Sequence, residues 1–219
     1  MRRQKIRVAL IASGSGTDAY AIMKAKANIP EMKVKLLIST KKGAGCLEKA
    51  AECKVPAITL DRKDLRAMFN QQLASILAKE KIQLLFLVGC VVKIPALKNV
   101  VVYNIHPADI ERCGGKGMYG LEPHKKVLAD IKDLVTRGRR QINDLFYTEP
   151  TIHEVNQEYD SGQYLLKLRL QIPLDITYSY LTGVDDLESA ASKLQQHVLP
   201  YEWLMLPTAV QIAVKQLAK

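Results

Sequence analysis

No apolar run comes near the roughly 20 residues needed to cross a bilayer. The basic N-terminus, Met1-Arg2-Arg3-Gln4-Lys5, is followed by an apolar stretch that stops at Ser13-Gly14-Ser15-Gly16, too soon for a signal peptide. No membrane partner and a cytoplasmic location are therefore expected. Cysteine is scarce: Cys46, Cys53, Cys90 and Cys113 form no C-x-x-C pair, and no His lies behind them at zinc spacing. Four reduced thiols and no metal are expected. No block of Lys and Arg exceeds three residues, and the densest cluster, Arg137-Gly138-Arg139-Arg140, reads as an exposed loop. There is no internal repeat and no linker rich in Pro, Ser or Gly. What remains is an ordinary globular composition, 48% hydrophobic and 25% charged over 219 residues, the size of one α/β domain with a full core. The formal charge of +10 reads either as a basic solvated surface or as the mark of an anionic partner: nucleic acid, phosphate or polycarboxylate.

Strands and helices alternate. Ile6–Ala12 is β-branched and apolar and runs into Ser13-Gly14-Ser15-Gly16-Thr17; a helix from about Asp18 to Ala27 follows, with Tyr20, Met23 and Ala27 near one face. Further strands are expected at Val34–Ser39, Ala57–Leu60, Leu84–Val88 and Val100–Ile105, with helices at Ala44–Lys54 and Leu65–Lys79. This rhythm predicts a mostly parallel sheet with right-handed crossovers, whose sites gather at the carboxyl ends of the strands. Beyond residue 110 the pattern changes. Cys113–Gly120, with four glycines, reads as an irregular loop and Leu121–Ile131 as a helix, while Leu134–Glu149 is charged and non-periodic. Thr151–Val155 and Tyr164–Gln171 read as an antiparallel pair about the turn 156–162. Two terminal helices are expected at Asp185–Gln196 and Tyr201–Leu217.

Three constellations carry chemistry. The strand–Ser13-Gly14-Ser15-Gly16-Thr17–helix turn presents free N–H groups at a helix N-terminus, which favours an anion, although it is neither a P-loop nor a complete G-x-G-x-x-G. In Asn104-Ile105-His106-Pro107, Asn104 and His106 project to one side of a strand end, an amide donor beside an imidazole. That pair suits oxyanion stabilisation and proton movement near neutral pH. His153 and Asp160 lie seven residues apart across a turn, where a carboxylate could orient the imidazole or where Asp160 is simply a solvated turn residue.

Taken in order, Ser-Gly-x-Gly, Asn-Ile-His-Pro, and Thr151-x-His153 with Asp160 seven residues after the His resemble the folate-dependent formyltransferases. Leu36-Leu37-Ile38-Ser39 before Gly45-Cys46-Leu47-Glu48-Lys49-Ala50, Gly120-Leu121-x-x-His124-x-x-x-Leu128, and Glu202 before Leu206-Pro207 extend the resemblance over nearly the whole chain. It implies a Rossmann-like α/β fold with an antiparallel C-terminal strand pair, as a single domain 1–219. Residues 1–107 would form a nucleotide-binding-like half and 108–219 a catalytic and folate-site half. It implies formyl transfer from 10-formyltetrahydrofolate to the amine of glycinamide ribonucleotide, in purine synthesis, with Asn104 and His106 stabilising the oxyanion and Asp160 orienting His106 and a relay water. Thr151 and His153 would support that loop. Gly14, Ser15, Gly16, Thr17 and Asp18, with Lys63, would hold the acceptor phosphate, and Glu202 the ribose hydroxyls. Val88, Gly89, Val91, Val92, Asn156 and Tyr159 would line the pterin pocket.

The departures fall on the substrate side. Asp18 stands where the family has Asn, a negative charge where a phosphate should sit. The run Ala108–Gly117 is longer and richer in glycine, Val91-Val92-Lys93-Ile94 lacks the family's Arg, and 131–149 reads as an insertion. Another phosphorylated or sugar-nucleotide amine, hydrolysis of formyl-folate, or a binding protein without turnover are the alternatives. The tRNA-directed and hydrolytic relatives carry additional domains, so the length disfavours them. The partners expected are a phosphorylated amine and a folate, both anionic, which also accounts for the +10 without nucleic acid, in a monomer or homodimer.

Overall fold

The computed structural model describes residues 4–90, 92–95 and 97–218. In chain order the elements are β1 (Ile6–Ala12), α1 (Thr17–Ala25), β2 (Met32–Ser39), α2 (Cys46–Glu52), β3 (Ala57–Thr59), α3 (Arg62–Leu65), α4 (Phe69–Lys79), β4 (Leu84–Leu87) and β5 (Val101–His106). The second half comprises α5 (Ile110–Cys113), α6 (Glu122–Thr136), β6 (Tyr147–Thr148), β7 (Thr151–Glu154), β8 (Tyr164–Lys167), β9 (Leu170–Gln171), α7 (Leu174–Leu181) and α8 (Leu187–Leu217). Seven strands form one sheet in the order β3-β2-β1-β4-β5-β7-β8; the first five are parallel, and β7 and β8 each run antiparallel to the neighbour before them. β6 and β9 form a separate two-stranded ribbon.

Strand alternation divides the core. Val8, Leu10, Leu84 and Phe86 meet α1, α2 and the end of α8 on one face; Ala9, Ile11, Leu85 and Leu87 meet α4 on the other. A strand covered on both faces must be apolar throughout, as β4 is. The chain runs from β1 outward to β3, then returns to β4 on the other side of β1. The carboxyl ends of β1 and β4 therefore diverge, and this is where α/β sheets open a ligand crevice.

Several boundaries differ from expectation, each for a local reason. The expected helix Leu65–Lys79 is α3, a 3₁₀ turn at Arg66–Met68, and α4. Asp61 starts the first piece early by accepting the Lys63 N–H at 2.8 Å, and Arg66, at φ 44°, ends it. α1 buries Ala19, Ile22 and Met23, while Ala27 lies exposed beyond its end. α6 continues to Thr136, so part of 131–149 is helix, and Arg137–Arg140 follows it on the surface, with Arg137 paired to Asp133 and Arg140 to Asp144. The expected strand Tyr164–Gln171 splits into β8 and β9, which join different sheets, although Leu170 and Ile172 are buried and Arg169 and Gln171 exposed as the alternation requires. α7 was not expected. The two expected terminal helices are one, α8, which holds Pro200 and Pro207 internally. Proline removes a backbone donor and normally ends a helix. Here the buried stripe running from Ala190 through Leu194, Val198 and Leu206 to Val214 ties both halves of α8 to the core.

No helix among the described residues is long and apolar enough to cross a membrane. All four cysteines are free.

Candidate active site

One cavity of about 440 Å³ opens at the carboxyl ends of β1, β4 and β5. It brings together residues from distant parts of the chain: Ser15, Thr17 and Asp18, then Gly89 and Val92, Asn104 and His106, His153, Asn156, Tyr159 and Asp160, and finally Glu202. Gly14 and Gly16 do not line it. A Cβ on Gly16 would lie 2.4 Å from Cys46 Cβ, and its φ is 75°, so only glycine lets the β1–α1 turn pack on α2. Val88 is buried in the core, and Lys63 sits on α3 away from the cavity lining; neither reaches the site. Val91 lies outside the described residues. Thr151 is fully buried; its hydroxyl donates to the Glu149 carbonyl at 2.8 Å, and it pairs with His106 across the β5–β7 ladder.

Asn104, His106 and Asp160 converge. His106 is 3% exposed, and its Nε2 lies 2.9 Å from the Cys113 carbonyl. A carbonyl only accepts, so Nε2 carries the proton and Nδ1 is the atom left to the cavity. That Nδ1 is 3.8 Å from Asp160 Oδ2, a separation one water can bridge. The Gly115 N–H donates to the same Oδ2 at 3.0 Å, and His153 Nε2 lies 3.4 Å from Oδ1. Asn104 Nδ2 makes two long contacts, 3.4 Å each, to Asp160 Oδ1 and His153 Nε2, and so keeps donor capacity for a ligand. Burial pushes the Asp160 carboxyl up, but His153, the Gly115 N–H and His106 outweigh it and hold the group below the usual carboxylate range. For His106, burial dominates and lowers its pKa despite the opposing pull of Asp160. The pair is thus an anionic carboxylate facing a neutral imidazole.

Asp160 is held by its turn. It adopts φ 47°, a left-handed angle that Asp tolerates better than most side chains. Asn156 Oδ1 accepts the Glu158 N–H at 3.0 Å and the Ser161 hydroxyl at 2.8 Å, so Asn156 builds the turn as well as lining the cavity. Gly162 packs where a Cβ would lie 1.6 Å from the Glu154 carbonyl oxygen. The departing loop is anchored too: Asp109 caps α5, accepts the Tyr164 hydroxyl at 3.1 Å and pairs with Lys167 at 3.1 Å. At the rim, Lys93 Nζ stands 4.5 Å from the Tyr159 ring centroid, a cation–π pair.

Met118, Tyr119 and His124, to which the sequence pattern gives no role, also line the cavity, as does Cys90. His124 is 1% exposed, its Nδ1 has no partner, and burial, reinforced by His106, lowers its pKa to about 4. The available signal was the glycine-rich run after His-Pro, which folds over the site rather than away from it. Glu202 is 5% exposed in the apolar stripe of α8, a placement that periodicity alone makes visible. Among the described residues no cluster of three His, Cys, Asp or Glu side chains is arranged to hold a metal ion.

Fold and cavity together define an α/β protein with a cavity of mixed polar and apolar lining at the carboxyl edge of its sheet. The sequence model described as "Formyl transferase" matches residues 6–195, and the chain belongs to that family. It is 31% identical over 179 residues to the chloroplastic phosphoribosylglycinamide formyltransferase of Arabidopsis thaliana, covering 78% of this chain and 56% of that protein. The Vigna unguiculata counterpart is 28% identical over 172 residues, covering 75% and 50%. The chain thus spans about half the length of these curated relatives. In structure it resembles glycinamide ribonucleotide transformylase 1 from Symbiobacterium toebii, with a TM-score of 0.71 at 22% identity over 97% of this chain and 89% of that one.

Proposed function

We propose that the chain transfers the formyl group of 10-formyltetrahydrofolate to the primary amine of glycinamide ribonucleotide, a step of purine synthesis. The observation that carries this is the convergence of Asn104, His106 and Asp160 on one cavity at the sheet's carboxyl edge. The relatives named for that reaction support it. The cavity fits the donor: about 440 Å³ lies within the usual range for a small-molecule site, and Leu87, Val92 and Ile94 offer an apolar wall for a flat ring. Bound there, the folate supplies the formyl carbon and leaves as tetrahydrofolate.

The amine nitrogen adds to the formyl carbon, and the carbonyl electrons move to oxygen. Asn104 Nδ2, whose two existing contacts are long, stabilises that oxyanion, and His106 joins it once Nδ1 has taken the proton of the added nitrogen. A water beside His106 Nδ1 and Asp160 Oδ2, which are 3.8 Å apart, carries the proton from the added nitrogen to Nδ1, and Nδ1 returns it to the folate nitrogen as that nitrogen's bond to carbon breaks. Asp160, anionic and pinned by Gly115, orients the imidazole and the water. Free cysteines fit the cytoplasmic, reducing setting kept within this proposal. Asp18 favours keeping a second acceptor, a sugar-nucleotide amine, in view.

Tetrahydrofolate release, followed by absorbance with each amine and with none, is expected to be fastest with glycinamide ribonucleotide. Equal release without an amine points instead to hydrolysis; faster release with the sugar-nucleotide amine reassigns the acceptor.

A further inference from the structure

The end of the cavity beside α1 has an unusual charge arrangement. A helix N-terminus offers N–H donors to an anion, yet Asp18, the second residue of α1, lines the cavity here with Ser15, Thr17 and Glu202. Glu202 is only 5% exposed. Among the described residues it has neither a hydrogen-bond donor nor a cation, and the charge that acts on it is that of Asp18, of the same sign. Trp203 Nε1 donates to Asp18 Oδ1 at 3.0 Å, which fixes the carboxyl against α8. The other titratable groups lining the cavity are Cys90, Lys93, His106, Tyr119, His124, His153, Glu158, Tyr159 and Asp160; burial biases His106 and His124 to the neutral form, and Asp160 is held anionic by its partners. Lys93 stands at the rim with Tyr159.

A half-buried and a buried carboxyl group whose charges act on each other do not both ionise readily. Burial pushes Asp18 up to about 6 despite the Trp203 bond, and burial with the Asp18 charge pushes Glu202 well above the ordinary carboxylate range. The pair therefore holds a proton to higher pH than two ordinary carboxyl groups would.

We propose that Asp18 is the acceptor-selecting residue of this cavity: with Glu202 it admits sugar hydroxyls directly and admits a phosphate only together with a proton. This rests on the acceptor lying in the α1 end of the formyl-transfer cavity. The consequence is an acceptor affinity that falls as pH rises. A carboxylate in the first turn of α1 repels a phosphate drawn to the N–H groups there, and protonation or amidation of Asp18 removes that repulsion while keeping the Trp203 bond.

The test uses ribose 5-phosphate as probe with the full chain, measured by calorimetry in two buffers of different ionisation enthalpy. Wild type is expected to take up about one proton per probe bound at pH 7.5, and its affinity to fall about tenfold per pH unit from 6.5 to 8.5. Asp18→Asn is expected to bind at least tenfold more tightly at pH 8 and to show only the phosphate's own titration near pH 6. Binding by wild type without proton uptake, an Asp18→Asn profile identical to wild type, or no binding by either protein overturns the proposal. Absence of formyl transfer alongside the expected binding profile counts against the formyl-transfer reaction and not against Asp18.

Discussion

His106→Ala is expected to lower kcat for formyl transfer by about 10²–10⁴-fold, the range that a positioned acid–base group contributes. The imidazole cannot be replaced by a neighbour. His153 is spoken for by the Glu154 carbonyl at 3.1 Å and by Asp160, and the site approaches His124 without supplying a partner for its buried Nδ1. His106 is itself single-purpose: Nε2 is committed to the Cys113 carbonyl, so only Nδ1 serves the reaction. Removing the ring also leaves Asp160 without one of the groups that hold it ionised. Folate affinity should change far less than kcat, since the apolar wall formed by Val92 and Ile94 is untouched. Steady-state kinetics and equilibrium folate binding on the same preparation separate the two; an unchanged kcat removes His106 from the mechanism.

Gly162→Ala should disrupt the site by a different route. A Cβ there meets the Glu154 carbonyl oxygen at 1.6 Å, and backbone at both ends of the contact means that the turn between β7 and β8 must open. Forced shifts of this kind cost about 1–3 kcal/mol, each kcal/mol lowering Tm by about 2–4 °C at this length. The same shift carries Asp160 away from His106, so activity should fall by more than the loss of folded protein explains. Gly114 packs directly on Asp160, where a Cβ would be 2.8 Å from Asp160 Cβ and 2.4 Å from the Ile110 carbonyl oxygen. Thermal melts and kcat measured below the melting range give both numbers; a normal Tm with normal kcat would show that the turn tolerates the methyl group.

What the sequence made legible follows from the physics of each element. β1 and β4 are buried on both faces, so their apolar runs are unambiguous, and the period of a strand puts Asn104 and His106 of β5 on one side. Asp160 was harder. Its spacing from His153 fits a solvated turn equally well, and only the Gly114, Gly115 and Gly162 contacts show why it turns inward. α8 was read as two helices because Pro200 and Pro207 obey local rules that the long buried stripe overrides. The break at Arg66 and the exchange of sheets after Lys167 depend on a backbone angle and on the β6 ribbon, neither of which periodicity encodes. The cavity-lining role of His124 and Tyr119 depends on how a glycine-rich loop folds back, which composition leaves open.

The most direct measurement follows the fate of the transferred carbon. With 10-formyltetrahydrofolate labelled in its formyl carbon and glycinamide ribonucleotide as acceptor, carbon NMR should find the label as the N-formyl group of the ribonucleotide, with the rate collapsing in Asp160→Asn. Label appearing as formate, or remaining on the folate in a protein that binds both ligands, would contradict transfer by Asn104, His106 and Asp160.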